Sequence, residues 1–304
     1  MLRVHRLLKR YGDRFALNGL SFDVQGGEVY GLLGPNGAGK TTAINIICNL
    51  LEPDEGLVEI GGVLRTDHTK TLIGVSPQEN LLYRGLTCAE NLHFFARLYG
   101  LKQSDRIEQV YECLETVHLL DRANDLVENL SGGMQRRLSI AVAMVHQPKL
   151  IILDEPTTGL DIEARYEIWA LIRRLQSQGI TILLTTHLLE EAERLCQRIG
   201  IIKAGKLLAE GTLEDLRQYV AAHTIALVST SQEDMAIARG ERLGFVHRRY
   251  GGDLAFWLPH AVELQTVLDY FQGIALHSVA LQPIRLEHIY LEITHLGSSP
   301  TVTS

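Results

Sequence analysis

The sequence predicts an α/β protein: a parallel β core with a glycine loop, an antiparallel β subdomain, a helical subdomain and a small C-terminal α+β domain. Three observations carry that expectation. "KLIILDEP" (149–156) and "ITILLTTH" (180–187) are continuous apolar runs, as parallel strands covered on both faces require. Between them Ile162, Tyr166, Trp169 and Ile172 mark a helix closed by Gly179, and strand–helix–strand in that order implies a parallel crossover. Upstream, "EVYGLL" (28–33) leads through "GPNGAGKTT" (34–42) into the helical "KTTAINIICNLL", which stops near Pro53.

The elements follow in order. "LSFDV" (20–24), the "QGG" turn (25–27) and "EVYGLL" read as a β-hairpin. "GLVEIGGVL" is a second β segment, and "TLIGVS" (71–76) a buried strand. From 86 the spacing turns helical. Thr87 and Glu90 form a capping box, Gly100 ends that helix, and Ser104 opens another with Ile107, Val110, Leu114 and Val117 at helical intervals. A further helix over 133–146 aligns Met134, Leu138, Ala141, Val142 and Val145 on one stripe, so the helical subdomain spans about 86–147. Near 220 the texture shifts. "HTIALVST", "LAFWLP" and "IALHSVAL" read as strands, with helices in "SQEDMAIARGERLG", "AVELQTVLDYFQ" and "LEHIYLEIT". This divides the chain into a core at 1–219, an α+β domain of ferredoxin-like kind at 220–296, and a disordered tail at 297–304.

Composition narrows the function classes. With 304 residues and a formal charge of −7, a nucleic-acid partner is not expected, because phosphate neutralisation needs a basic surface. The four cysteines are scattered, without a C-x-x-C pair, so zinc or a disulfide framework is not expected and a reducing, cytoplasmic compartment fits. No apolar run approaches the roughly 18–20 residues that cross a bilayer. Any membrane work would fall to another chain.

"GPNGAGKTT" matches G-x-x-x-x-G-K-[ST] between a strand and a helix, the context that motif needs. Gly34, Pro35, Asn36, Gly37, Ala38 and Gly39 would let backbone N–H groups crowd a phosphate, and the following helix offers its positive N-terminus. Lys40 would reach the β- and γ-phosphates of ATP; Thr41, with Thr42 beside it, would hold Mg²⁺ through its hydroxyl. Asp154 ends a buried strand where it can hold the metal's water shell, and Glu155 can polarise an attacking water. Gln78 ends another core strand just before the helical subdomain. It is either an ordinary loop residue or a sensor touching the Mg²⁺ shell. His187 ends the 180–187 strand on the same edge, where open parallel sheets bind their ligands. Tyr11 either stacks on adenine or simply packs.

"LSGGMQRR" (130–137) is a second glycine turn without a lysine. Ser131, Gly132 and Gly133 would present N–H groups at a helix N-terminus, another anion site. The lysine is dispensable if the charge of the nucleotide is met by Lys40 and Mg²⁺ elsewhere. Two copies arranged head to tail satisfy this, each turn closing over the partner's ATP.

Together "GPNGAGKTT", "PQEN", "LSGGMQRR", "LIILDEP", "GLD" (159–161) and "TTH" closely resemble the nucleotide-binding subunits of ABC transporters over roughly residues 2–220. That resemblance implies a P-loop NTPase core of the ABC type and the aromatic, Q-loop, D-loop and H-loop roles for Tyr11, Gln78, Asp161 and His187. It adds Gln135 of the signature to the nucleotide contacts. It also implies an ATP-sandwich dimer, as homodimer or heterodimer, and separate transmembrane permease subunits on whose cytoplasmic face the chain would sit. "ENLHFFARLYGL", "SGGMQRRLSIA" and "LEHIYLEIT" are similar to the ABC-2-type, drug-resistance or lipid-exporter branch. Ile162 stands where many relatives have proline. The alternatives are a soluble ABC ATPase acting in macromolecular assembly or remodelling, and a nucleotide-dependent scaffold without turnover.

Overall fold

The structure, a computed structural model, describes residues 1–220, 222–250 and 252–296; the expected tail at 297–304 lies outside them. The chain divides into two units, Met1–Leu213 and the residues from Glu214 onward. The first unit runs β1 (Leu2–Tyr11), β2 (Arg14–Val24), β3 (Val29–Leu33), α1 (Lys40–Ile47), β4 (Glu55–Ile60), β5 (Val63–Leu64), β6 (Ile73–Ser76), α2 (Cys88–Leu98), α3 (Gln103–Thr116) and α4 (Gly132–Met144). It continues through β7 (Leu150–Asp154), α5 (Ile162–Ser177), β8 (Thr181–Thr186), α6 (Leu189–Leu195), β9 (Arg198–Lys203) and β10 (Lys206–Gly211).

Its strands form two sheets, an antiparallel one in the order β2-β1-β4-β5 and a core one in the order β10-β9-β3-β8-β7-β6. In the core sheet β9, β3, β8, β7 and β6 run parallel, and only the edge strand β10 is antiparallel. The continuous apolar runs follow from burial on both faces. Ile151 and Leu153 of β7, with Ile182 and Leu184 of β8, pack towards α2–α5; Leu150, Ile152 and Leu183 pack towards α1 and the antiparallel sheet. Successive side chains of a strand point to opposite faces, so both faces demand apolar residues.

The register places four strand ends side by side. Leu33 pairs with Thr186, Asp154 with Thr185, and Ser76 with Leu153. The loops that follow β3, β6, β7 and β8 therefore leave from one edge of the sheet.

Several local expectations need correction. Residues 20–33 are not a hairpin: β2 pairs with β1 across the turn at Gly12 (φ 58°), while β3 pairs with β8 and β9 in the other sheet. The 25–27 turn crosses between sheets, because β3 is buried along its whole length and belongs in the two-faced core. Ser104 does not open α3; its hydroxyl donates to Asp105 at 2.7 Å and the helix begins at Gln103. Ile107, Ile162 and Tyr166 lie outside the core, and the buried stripe of α5 comprises Ile168, Trp169, Leu171, Ile172 and Leu175. β6 begins only at Ile73, the preceding residues forming a 3-10 turn. The capping box of α2 is present, with Glu90 N–H donating to Thr87 Oγ1 at 3.2 Å and Thr87 N–H to Glu90 Oε2 at 2.8 Å.

After a short helix α7 (Leu213–Arg217) come β11 (Thr224–Thr230), α8 (Glu233–Arg242), β12 (Val246–Tyr250), β13 (Asp253–Leu258), α9 (Leu264–Tyr270), β14 (Leu276–Pro283) and α10 (Leu286–Leu296). The sheet order β12-β13-β11-β14, wholly antiparallel, with one helix in each crossover is the split βαβ arrangement of ferredoxin-like domains. Ala226, Val228, Leu254 and Phe256 bury one sheet face with Ala236, Val267 and Phe271. Arg248 pins α10 through paired bonds to Glu292, at 2.7 and 3.1 Å.

Candidate nucleotide-hydrolysis site

The glycine loop follows β3, and its shape is set by close approach. A Cβ at Gly34 would lie 2.3 Å from the Ile202 carbonyl oxygen, and one at Gly39 (φ 109°) 2.5 Å from the Ala16 carbonyl oxygen. The turn between β9 and β10 backs the loop: Gly205 N–H donates to Ala38 O at 2.9 Å. Pro35, Asn36 and Gly37 remain exposed above this support. Lys40 begins α1 and is almost wholly buried; its Nζ donates to Gly34 O at 2.7 Å and Pro35 O at 3.2 Å and lies 3.4 Å from Glu155 Oε1.

Glu155 is the meeting point of the edge. Its Oε2 lies 3.2 Å from His187 Nδ1 and accepts from Gln78 Nε2 at 3.3 Å and Thr158 Oγ1 at 3.2 Å. Its backbone has a φ of 47°, left-handed and unusual for a non-glycine residue. Burial pushes the Glu155 carboxyl up, but the His187 bond and the His187 and Lys40 charges outweigh it, and the net displacement is downward. A carboxylate so held is ionised at neutral pH and accepts protons. Asp154 differs: burial raises it, against the hydroxyl bond from Thr185 Oγ1 to its Oδ1.

A cleft of about 430 Å³ joins Tyr11, Asn36, Gly37, Gly39, Lys40, Thr41, Thr42, Gln78 and Glu155. Asp154 and His187 adjoin it through Thr185 and Glu155. Thr41 is exposed and lines this space, so residues bearing hydroxyl, carboxylate and amide oxygens, all hard donors, gather at one edge. Tyr11 is 56% exposed there, available to a flat ring.

The signature residues do not line that cleft. Ser131 caps α4, its Oγ accepting from Met134 N–H at 3.3 Å. Gly132 is exposed, whereas Gly133 is buried where a Cβ would lie 2.7 Å from Ala164 Cβ. Gln135 Nε2 donates to Val127 O at 3.3 Å and Leu130 O at 3.0 Å, holding the turn from behind. Asp161 caps α5 by accepting from Ala164 N–H at 2.8 Å.

Sequence reasoning missed Arg14, which lines the cleft, and the buried Thr185, Arg136 and Glu191. Glu191 Oε1 accepts from Thr157 Oγ1 at 2.7 Å and Trp169 Nε1 at 3.1 Å. Burial pulls the Arg136 guanidinium down to about 10, against the opposing pull of Asp154 and Glu191. The available sequence signal for Arg136 is a second arginine at the signature, and a helix N-terminus does not itself call for a cation.

A strand-end edge where a glycine loop, a lysine and a carboxylate line the same space suits a nucleoside triphosphate. The fold and site are those of a P-loop NTPase. A model of the ABC transporter family matches residues 17–158. Over 293 residues the chain is 40% identical to the Nod factor export ATP-binding protein I of Burkholderia lata, covering 94% of each. Over 234 residues it is 42% identical to the linearmycin resistance ATP-binding protein LnrL of Bacillus subtilis, covering 76% of this chain and 75% of that one. A dimeric structure of a post-hydrolysis state of the ATP-binding cassette MJ0796, bound to ADP and Pi, matches with a TM-score of 0.62 at 30% identity, covering 70% of this chain and 99% of the other. The chain belongs to the ABC transporter family, among its ATP-binding, ATP-hydrolysing proteins.

Proposed function

We propose that this chain is the ATP-hydrolysing subunit of an exporter, working as a dimer with ATP at the interface and driving separate transmembrane permease subunits from the cytoplasmic face of the cell membrane. One observation carries the reading: the likeness to a Nod factor export ATP-binding protein spans 94% of both chains, and so includes the C-terminal unit as well as the ATPase core. Among the described residues no helix is long and apolar enough to cross a membrane, which is consistent with a partner doing the spanning.

In this reading Gly34–Gly39 wrap the β-phosphate, Lys40 meets the β- and γ-phosphates, Thr42 supports the loop, and Tyr11 stacks on adenine. Thr41, Asp154 and Gln78 hold Mg²⁺ and its waters, and the ion when bound neutralises charge shared by the β- and γ-phosphates. Glu155 accepts the proton of the attacking water, and His187 donates to the γ-phosphate while its Nδ1 side is oriented by Glu155. Ser131, Gly132 and Gly133 close over the partner's ATP, with Gln135 stiffening their turn and Asp161 facing the junction.

Glu155→Gln tests both levels. Expressed in the native host, this variant should bind ATP, lose turnover by about a hundredfold or more, and co-isolate with a multi-span membrane protein. Substantial residual hydrolysis would count against the base; recovery without any membrane-spanning partner would favour a soluble role in macromolecular assembly.

A further inference from the structure

Arg136 lies in the second turn of α4, behind the signature turn, and is only 3% exposed. Its neighbour Arg137 reaches the carbonyls of Val117 and His118, at 3.0 and 3.1 Å. Arg136 instead points under the strand ends of the core sheet. Its Nε donates to Pro156 O at 2.8 Å, its Nη2 to Asp154 O at 2.7 Å, and its Nη1 to Pro77 O.

Those carbonyls are not arbitrary. Each belongs to the peptide group that leads directly into the next residue: Pro77 into Gln78, Asp154 into Glu155, Pro156 into Thr157. The Asp154–Glu155 peptide is therefore held at both ends, its carbonyl by Arg136 and its N–H by Thr185 O at 3.0 Å. Glu155 needs such a hold, because its φ of 47° persists only where the surroundings over-determine the backbone. The Pro156 carbonyl bond holds the Pro156–Thr157 peptide, one residue beyond it.

We infer that Arg136 is a positioning residue: through three peptide groups it aims the Glu155 carboxylate and the Gln78 amide, and ties that aim to the helix bearing the signature turn. This rests on Glu155 acting as the base. The flat guanidinium fork suits three divergent carbonyls; the compact ammonium of lysine keeps the charge but not the fork. A movement of the signature helix is thereby felt as a movement of the hydrolytic carboxylate, without passing through the nucleotide.

Arg136→Lys and Arg136→Gln are compared with Glu155→Gln and the unaltered full chain by steady-state kinetics and by titration with a fluorescent ATP analogue, at a temperature where each remains folded. KM for ATP and analogue affinity should stay within about threefold, while kcat falls about tenfold for Arg136→Lys and about a hundredfold for Arg136→Gln. Partial retention by lysine over glutamine is the signature of positioning. If Arg136→Gln fails to fold, Arg136→Lys decides alone. A kcat within about twofold of the unaltered chain, or a loss matched by equal loss of ATP affinity, overturns the inference. Glu155→Gln inert beside a fully active Arg136→Lys sinks the positioning role only; Glu155→Gln retaining turnover sinks the base reading and this inference with it.

Discussion

At the scale of the residue, Glu155 is held between opposing forces. Burial favours its neutral form, while the His187 hydrogen bond and the His187 and Lys40 charges favour the ionised one and prevail. A carboxyl lowered in the folded state adds stability above its unfolded value, and that stability is lost as pH falls through the folded value. His187→Ala removes a lowering influence and leaves burial less opposed, so the carboxyl rises. The acid limb of kcat/KM should then move to higher pH, on top of a fall in kcat of about a hundredfold, as for loss of one donor to a developing oxyanion. A pH–rate profile checks this, and an unmoved limb would mean that Glu155 is not the group titrating. The motif residues of this edge were legible because each motif is local: lysine in a glycine loop, or a carboxylate pair after an apolar strand, declares its chemistry within a few positions. Thr185, Arg136 and Glu191 were not, since their roles come from strands and helices 18 or more positions away, as in the bonds from Arg136 to Asp154 and Pro156 with separations of 18 and 20.

At the scale of the element, α4 lies so close to β6 that the strand needs a glycine there. A Cβ on Gly74 would fall 1.8 Å from the Ala143 carbonyl oxygen, a backbone atom that cannot swing aside. Gly74→Ala must push α4, with its signature turn and Arg136, off the core sheet. Overpacking of this kind costs about 3 kcal/mol. Trp169 and Trp257 are the two tryptophans, one in each unit, so in a Trp257→Phe background fluorescence follows the first unit alone. The urea midpoint of that signal should drop; an unchanged midpoint would show that α4 can yield at no cost. The elements themselves were legible where pattern and period agreed, as in β7, β8 and the capped helix α2. Pairing was not. An alternating run and a nearby buried run look like a hairpin in sequence, but β3 takes its partners from β8 and β9, more than 140 residues on. The β9–β10 hairpin turns through Ala204 at φ 49° and Gly205 at φ 75°, a turn with only one of its two residues glycine, and so it gave little local sign of its place behind the phosphate loop.

At the scale of the whole molecule, the proposed dimer requires one copy of the site to be incomplete in a specific way. The cleft around Lys40 gathers Glu155, Gln78 and the glycine loop, while Ser131 and Gly132 are exposed on a capped helix N-terminus that does not line it. An N-terminus with exposed N–H groups favours an anion, and in a head-to-tail pair the anion is the partner's ATP. Complementation distinguishes this from turnover within a single copy. Lys40→Ala disables the loop, and Ser131→Arg obstructs the signature turn; each alone should be inert. In a mixed pair, one composite site joins both lesions and the other joins an intact loop to an intact signature turn. With random pairing of an equal mixture, half the dimers are mixed and one site in each is whole, so turnover should recover to about one quarter of the unaltered protein if the sites act independently. The rate per protomer should also rise with concentration before levelling off. A mixture that stays at the floor, together with a rate per protomer that ignores dilution, would place catalysis within one copy and leave the exposed signature turn without a ligand.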